Sequence, residues 1–255
     1  MASIFDAYWA APPIARTVAT LVFVCSVGVY TGMFSSDPFW FDYRFLLKFP
    51  PGLHRLVTSF LITQPQLGVL FDTYFTFSYL SQLEKGNAKF SKKEDLVWYL
   101  MVVGTIVIEH QILNSAVTGA GMYLQALLIA MCYTATQDQR GQMAHFYVVT
   151  IPAQLMPYCL LVVQLLFPNG WYLIKVGLTG LVAAHLHDFC TRLYPEFGNG
   201  PNLLPTPWWI SWIISTPRVR NTVYGSAHAP PKDSQPRSGP LPDSWRSAGP
   251  GRRLG

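Results

Sequence analysis

The residues best placed to do chemistry close the last long apolar run of the chain, Gly177–Phe189 (GLTGLVAAHLHDF), where His185, His187 and Asp188 stand together. A histidine there is a candidate general base, and a base needs a nucleophile beside it. The chain has no serine from Ala116 to Ile210. The fourth apolar run, Thr118–Thr134 (TGAGMYLQALLIAMCYT), therefore lacks one. Thr118 as a substitute would need an activating base in register, and none is evident. Cys25, Cys132, Cys159 and Cys190 stand singly in apolar segments. With no CxxC pair they imply neither a metal site nor a disulfide framework, but buried, inert thiols. His185 and His187 are expected to make buried or interfacial hydrogen bonds. Polar residues also interrupt other apolar runs: Asp72, Glu109, His110, Gln154 and Gln164. Inside a membrane such groups face a cavity or a partner helix. Asp72 and Gln154 are the better candidates for a hydrophilic groove, joined by His185 and His187. Glu109, His110 and Asp188 fall at span ends. No cofactor is indicated.

The elements that must carry these residues are membrane spans. Of 255 residues, 51% are hydrophobic and only 12% charged, where a soluble domain carries roughly a quarter charged residues. Six apolar runs are legible: 17–34, 56–83, 96–112, 118–134, 146–167 and 171–189. The second is interrupted by Gln64, Pro65, Gln66 and Asp72, and the uninterrupted part after Asp72 falls well short of the ~20 residues a span needs. Such a helix must be screened by neighbours, or the bilayer must thin around it. The fifth run is expected to bend or break at Pro152 and Pro157. The fourth opens with Gly119, Ala120 and Gly121, which let neighbouring helices approach it as the central helix of a bundle. Met1–Arg16 lacks the basic start and apolar core of a cleavable signal peptide, so the first span is expected to act as its own insertion signal. Lys and Arg cluster at Arg16, in the loop 84–95, at Arg140 and after the sixth span, against Arg44, Lys48, Arg55 and Lys175 on the other side. The positive-inside rule then predicts both termini in the cytoplasm.

The expected organisation is an N-terminal cytoplasmic segment (1–16), a six-helix membrane domain (17–190), an interfacial juxtamembrane segment (191–216) and a disordered cytoplasmic tail (217–255). The tail is rich in Pro, Ser, Gly and Arg and cannot bury enough apolar surface to fold alone.

Two motifs carry a family resemblance. Gly180, Ala184 and His185 resemble the Gly-xxx-Ala-His pattern on the sixth helix of rhomboid proteases, where the histidine serves a serine on the fourth helix. That serine is missing here. Gly180 and Ala184, four apart on one helix face, are read as packing residues. The run Gly52-Leu-His-Arg-Leu-Val-Thr-Ser-Phe-Leu61 and the later Tyr79-Leu-Ser-Gln-Leu-Glu84 resemble the motifs at the two ends of the second span in derlins, the inactive branch of the rhomboid superfamily. His54 stands where derlins have Trp, and Leu80 where the second motif has Ser. Arg55, Tyr79, Leu83, Glu84 and Gly86 are kept. The resemblance implies an all-α, six-transmembrane-helix rhomboid-like bundle. Arg55, with His54 and Glu84, would fix the loop at the side opening of that bundle, although an interfacial arginine snorkelling to headgroups is a compatible reading.

The chain end, Ser247-Ala-Gly-Pro-Gly-Arg-Arg-Leu-Gly255, resembles the SHP box by which derlins dock a hexameric AAA+ segregase. Gly249, Gly251, Arg253 and Leu254 fit, and Trp245 is a substitute for the missing aromatic. The resemblance further implies residence in the endoplasmic reticulum and a non-catalytic part in retrotranslocating misfolded luminal or membrane proteins for degradation. It implies a membrane RING ubiquitin ligase as second partner, the lipid bilayer as working medium, possible oligomers and no nucleic acid. Two other classes stay open: an active intramembrane protease with an unusual nucleophile, and a small transporter, for which no internal repeat is found.

Overall fold

A computed structural model describes residues 4–86, 89–90, 92–113, 121–137, 139, 141–146, 149–198 and 200–214. The expected tail, with Trp245, Gly249, Gly251, Arg253 and Leu254, lies outside the described residues. The described part is a helical membrane bundle. A short helix α1 (Ile4–Ala10) precedes α2 (Pro13–Tyr30), then come α3 (Arg55–Thr58), α4 (Leu67–Gly86) and α5 (Lys93–Leu113). After these follow α6 (Leu124–Thr136), the strands β1 (Met143–Phe146) and β2 (Val149–Pro152), α7 (Met156–Val163, flanked by 3₁₀ turns Ala153–Leu155 and Gln164–Leu166) and α8 (Gly170–Asp188). Beyond a π-helical turn lie α9 (Tyr194–Gly198) and α10 (Trp208–Ile214).

Among the described residues, three helices are long and apolar enough to cross a membrane: Pro13–Tyr30, Lys93–Leu113 and the continuous stretch Gly170–Gly198. Two further apolar helices, Leu124–Thr136 and Ala153–Leu166, are shorter. The remaining helix of the bundle, in the second span, is α4, whose 20 residues include Asp72, Glu84 and Lys85.

α6 sits at the centre, every one of its 13 residues buried. It packs most extensively on α8, and Gly180 is where the two backbones meet: a Cβ there would overlap the carbonyl of Ala126. Ala184 is also buried in this core. α2 and α4 run antiparallel. The Ser26 hydroxyl accepts from Thr63 N at 3.0 Å at one end, and Glu84 bonds the start of α2 at the other. α2 stops at Gly32, which adopts φ +77° just past Thr31 and lets the chain turn back.

Two boundaries differ from the sequence reading. The fourth apolar run opens at Thr118, which lies outside the described residues, and Gly121–Tyr123 precedes α6, which starts at Leu124. Its backbone is committed elsewhere, since Gly121 and Phe41 exchange N–H···O bonds at 3.0 Å and Tyr123 N donates to Ser59 O at 2.8 Å. The fifth span does not begin at Phe146. Residues 143–146 and 149–152 pair as antiparallel strands with Met143 opposite Pro152. Pro152 has no N–H to give a helix and its backbone is extended, ψ 131°, so helical structure begins only at Ala153.

Candidate functional site

The first constellation locks the loop between α2 and α4. Arg55, at the start of α3, sends Nη1 to the carbonyls of Asp37 and Trp40, and its guanidinium lies 4.0 Å from the Phe45 ring centroid. The Thr58 hydroxyl, one turn on, donates to Pro38 O. One arginine thus gathers three points of an aromatic loop, using the planar fork and ring stacking that distinguish it from lysine. His54 caps α3 from an exposed position without a side-chain hydrogen bond to it.

Glu84 serves a different element. Its carboxylate accepts from Ile14 N at 3.3 Å and Ala15 N at 3.0 Å. These are free donors in the first turn of α2, where Pro12 and Pro13 offer no N–H of their own. A negative charge there also complements the helix dipole. Glu84 therefore pins the far end of α4 to the near end of α2.

The third constellation lies inside the bundle. Asp72 Oδ2 accepts from Gln64 N at 2.8 Å and from Gln125 Nε2 at 2.7 Å. Gln125 Oε1 in turn accepts from Gln164 Nε2 at 3.0 Å. The result is a continuous polar chain across α4, α6 and the end of α7, with Asp72, Gln125 and Gln164 all buried. Gln164 Oε1 ends the chain with no hydrogen-bond partner among the described residues, as do the buried Ser59 Oγ and Thr63 Oγ1. Buried polar atoms of this kind normally have a partner or an ordered water.

Gln154 does not join the chain. It is exposed, in the 3₁₀ turn before α7. Helical structure starting at Ala153 turns Gln164 inward and leaves Gln154 at the rim, so Gln164 holds the place expected for Gln154. His185 and His187 are separate from the chain as well. His185 is exposed and its Nδ1 pairs with the Tyr133 hydroxyl at 2.9 Å. His187 is buried with its ring edge-on to Tyr99.

Asp188 is not a loose end of the helix. It takes Lys89 Nζ at 3.1 Å, Gln137 Nε2 at 3.0 Å and a bidentate pair from Arg192 at 3.1 and 2.9 Å. Gln137 also donates to the Tyr133 hydroxyl at 3.0 Å, linking this ionic node to His185. The node borders a cavity of about 560 Å³ that reaches Trp98 and Thr206. Of these residues, sequence reasoning missed the pairings of Gln125, Gln137 and Tyr133. The available signal for Gln125 was a lone amide in an otherwise apolar run.

A family model described as the Der1-like family matches residues 11–208. Derlin-1.1 of Zea mays is 26% identical over 247 residues, covering 94% of this chain and 96% of that protein. Derlin-1 of Arabidopsis thaliana is 24% identical, covering 92% and 95%. Derlin-1 of Oryza sativa subsp. japonica is 25% identical, covering 94% and 96%. The matched stretch contains the Arg55 lock, the Glu84 cap and the whole Asp72–Gln125–Gln164 chain.

Proposed function

This chain belongs to the Der1-like family, and from that premise we propose that it is a non-catalytic component of endoplasmic-reticulum-associated degradation that eases misfolded proteins across a locally thinned membrane. The observation that carries the reading is the pairing of short helices with a polar interior. At 1.5 Å per residue α6 is about 20 Å long, and Ala153–Leu166, with a 3₁₀ turn at each end, about 24 Å, against a hydrocarbon core of about 30 Å. α6 is shielded by its neighbours, but Tyr158, Val162, Leu165 and Leu166 of the second helix are exposed. Lipid against that face must thin or tilt, at a fraction of a kcal/mol per Å of mismatch. A polypeptide crossing intact hydrocarbon leaves each unsatisfied backbone group at several kcal/mol. The amide chain ending in Gln164 and the side-chain hydroxyls of Ser59 and Thr63 are buried in the bundle, and they offer such groups polar partners where the helices part to admit a client.

Bond cleavage is not part of this role. His185 is engaged by Tyr133, and the fourth helix carries no serine. The cytoplasmic tail recruits an AAA+ segregase through Trp245, Gly249, Gly251, Arg253 and Leu254, and this motor supplies the pulling work. A membrane RING ubiquitin ligase marks the clients. Residence in the endoplasmic reticulum with both termini cytoplasmic follows from the same reading. The test is turnover of a misfolded luminal client in cells whose own derlins are deleted. Re-expressing this chain restores rapid, segregase-dependent loss of the client. A client half-life unchanged by the chain, despite normal expression and membrane insertion, overturns the proposal.

A further inference from the structure

Outside the polar chain and the ionic node, the bundle carries a second cavity of different character. It is a groove of about 570 Å³ between α2 and α4, floored by Ala19 and walled by Phe23, Leu70, Tyr74 and Phe77. Its lining includes one charged residue, Arg16, at the α1 end. Arg16 makes no ion pair among the described residues. Its Nη1 donates to Trp9 O at 3.0 Å and its guanidinium lies 4.4 Å from the Trp9 ring centroid and 5.4 Å from that of Tyr8. These contacts fix the guanidinium and leave other N–H donors of its fork unused. The nearest carboxylate on α4, Glu84, spends both oxygens on α2 backbone donors, and its neighbour Lys85 adds a second exposed cation at this end.

Tyr8 and Trp9 are exposed aromatics, the side chains that settle at headgroup level. From Arg16 the groove runs to Phe23, about 10 Å along α2, into the depth where lipid tails lie. A slot with a cation and aromatic rings at the headgroup and an apolar interior matches an amphiphile with one anionic head and a hydrocarbon tail. We propose that this groove is a binding site for an anionic phospholipid of the leaflet on the α1 side, with its phosphate on Arg16 and an acyl chain between α2 and α4. A soluble partner would leave the apolar walls in contact with lipid. A zwitterionic lipid would bring a second cation beside Arg16 and Lys85.

This site does not depend on the role proposed above, and its test is separable from client turnover. Purified full-length protein is titrated with phosphatidylglycerol or phosphatidylcholine of matched acyl chains, and retained lipid is counted by native mass spectrometry. One phosphatidylglycerol is retained in clear preference to phosphatidylcholine. Arg16→Gln lowers that preference about five- to tenfold, the order expected for one basic residue at an anionic headgroup. Thr20→Trp, which adds bulk at an exposed position lining the groove, removes retention of both lipids, while Lys175→Gln on α8 changes nothing. Thermal melting of each variant separates lost binding from lost fold. Equal retention of the two lipids by the unaltered protein, or undiminished preference in Arg16→Gln, overturns the assignment. So does a photo-crosslinker at Leu70 that captures protein and no lipid in native membranes.

Discussion

Single side chains do two kinds of work in this protein, and the Asp72–Gln125–Gln164 chain shows how to tell them apart. Each link is a buried hydrogen bond whose loss strands a polar partner, costing roughly 1–3 kcal/mol per stranded group. Gln125→Leu strips Asp72 of a donor and Gln164 of an acceptor. It should therefore lower stability by about 2–6 kcal/mol by the same rule, read as a drop in the thermal midpoint of the purified protein. The triple replacement of Asp72, Gln125 and Gln164 by leucine removes all three members at once, strands only Gln64 N, and should regain part of that stability. If the chain serves client passage, the stable triple variant nonetheless fails to restore client turnover. A triple variant that restores turnover would assign the chain to folding alone. Arg55 and Glu84 belong to the structural kind: each satisfies backbone groups of another element, loop carbonyls for one and helix-start donors for the other.

At the scale of elements, the determining feature is where helices begin. Long apolar runs made α2, α5 and α8 legible, and the polar interruptions of α4 were legible as well. The strand pair was not. Residues 146–151 are apolar and rich in Val, Thr and Ile, and so short a run reads equally well as strand or helix. Pro152 marks the boundary, but only the paired strand before it shows what the boundary separates. The start of α6 was hidden for another reason: Gly121–Tyr123 is held by Phe41 and Ser59, contacts that span more than sixty positions in sequence. Once these starting points shift, helix phase shifts too, which is why Gln164 and not Gln154 reaches Gln125. Gly180 was legible as a packing residue by spacing, whereas its partner Ala126 was not. Lengthening the helix at Ala153–Leu166 by one leucine-rich turn added ahead of Ala153, about 5.4 Å, relieves the mismatch and leaves Gln164 in register with Gln125. The lengthened protein should insert normally and lose most of its client turnover. Full turnover would mean that helix length is not used.

The whole molecule couples a membrane body to a tail that lies outside the described residues. The proposal gives the two parts separate tasks, so they should be separable by truncation. A chain cut after Asp243 keeps the membrane body and loses the motif from Trp245 to Leu254. It should recover markedly less segregase on co-purification than the full chain, and equal recovery would remove the tail from the account. The task proposed for the body is to change the bilayer, and such a change would be visible without any client. Reconstituted in nanodiscs of a single phospholipid and imaged by electron cryo-microscopy, the protein should be ringed by bilayer of uneven width. The narrowest hydrocarbon should lie beside the exposed face of Tyr158, Val162 and Leu166, several Å thinner than beside α5. Hydrocarbon of ordinary, uniform width around the entire bundle would contradict the claim that short helices thin the membrane.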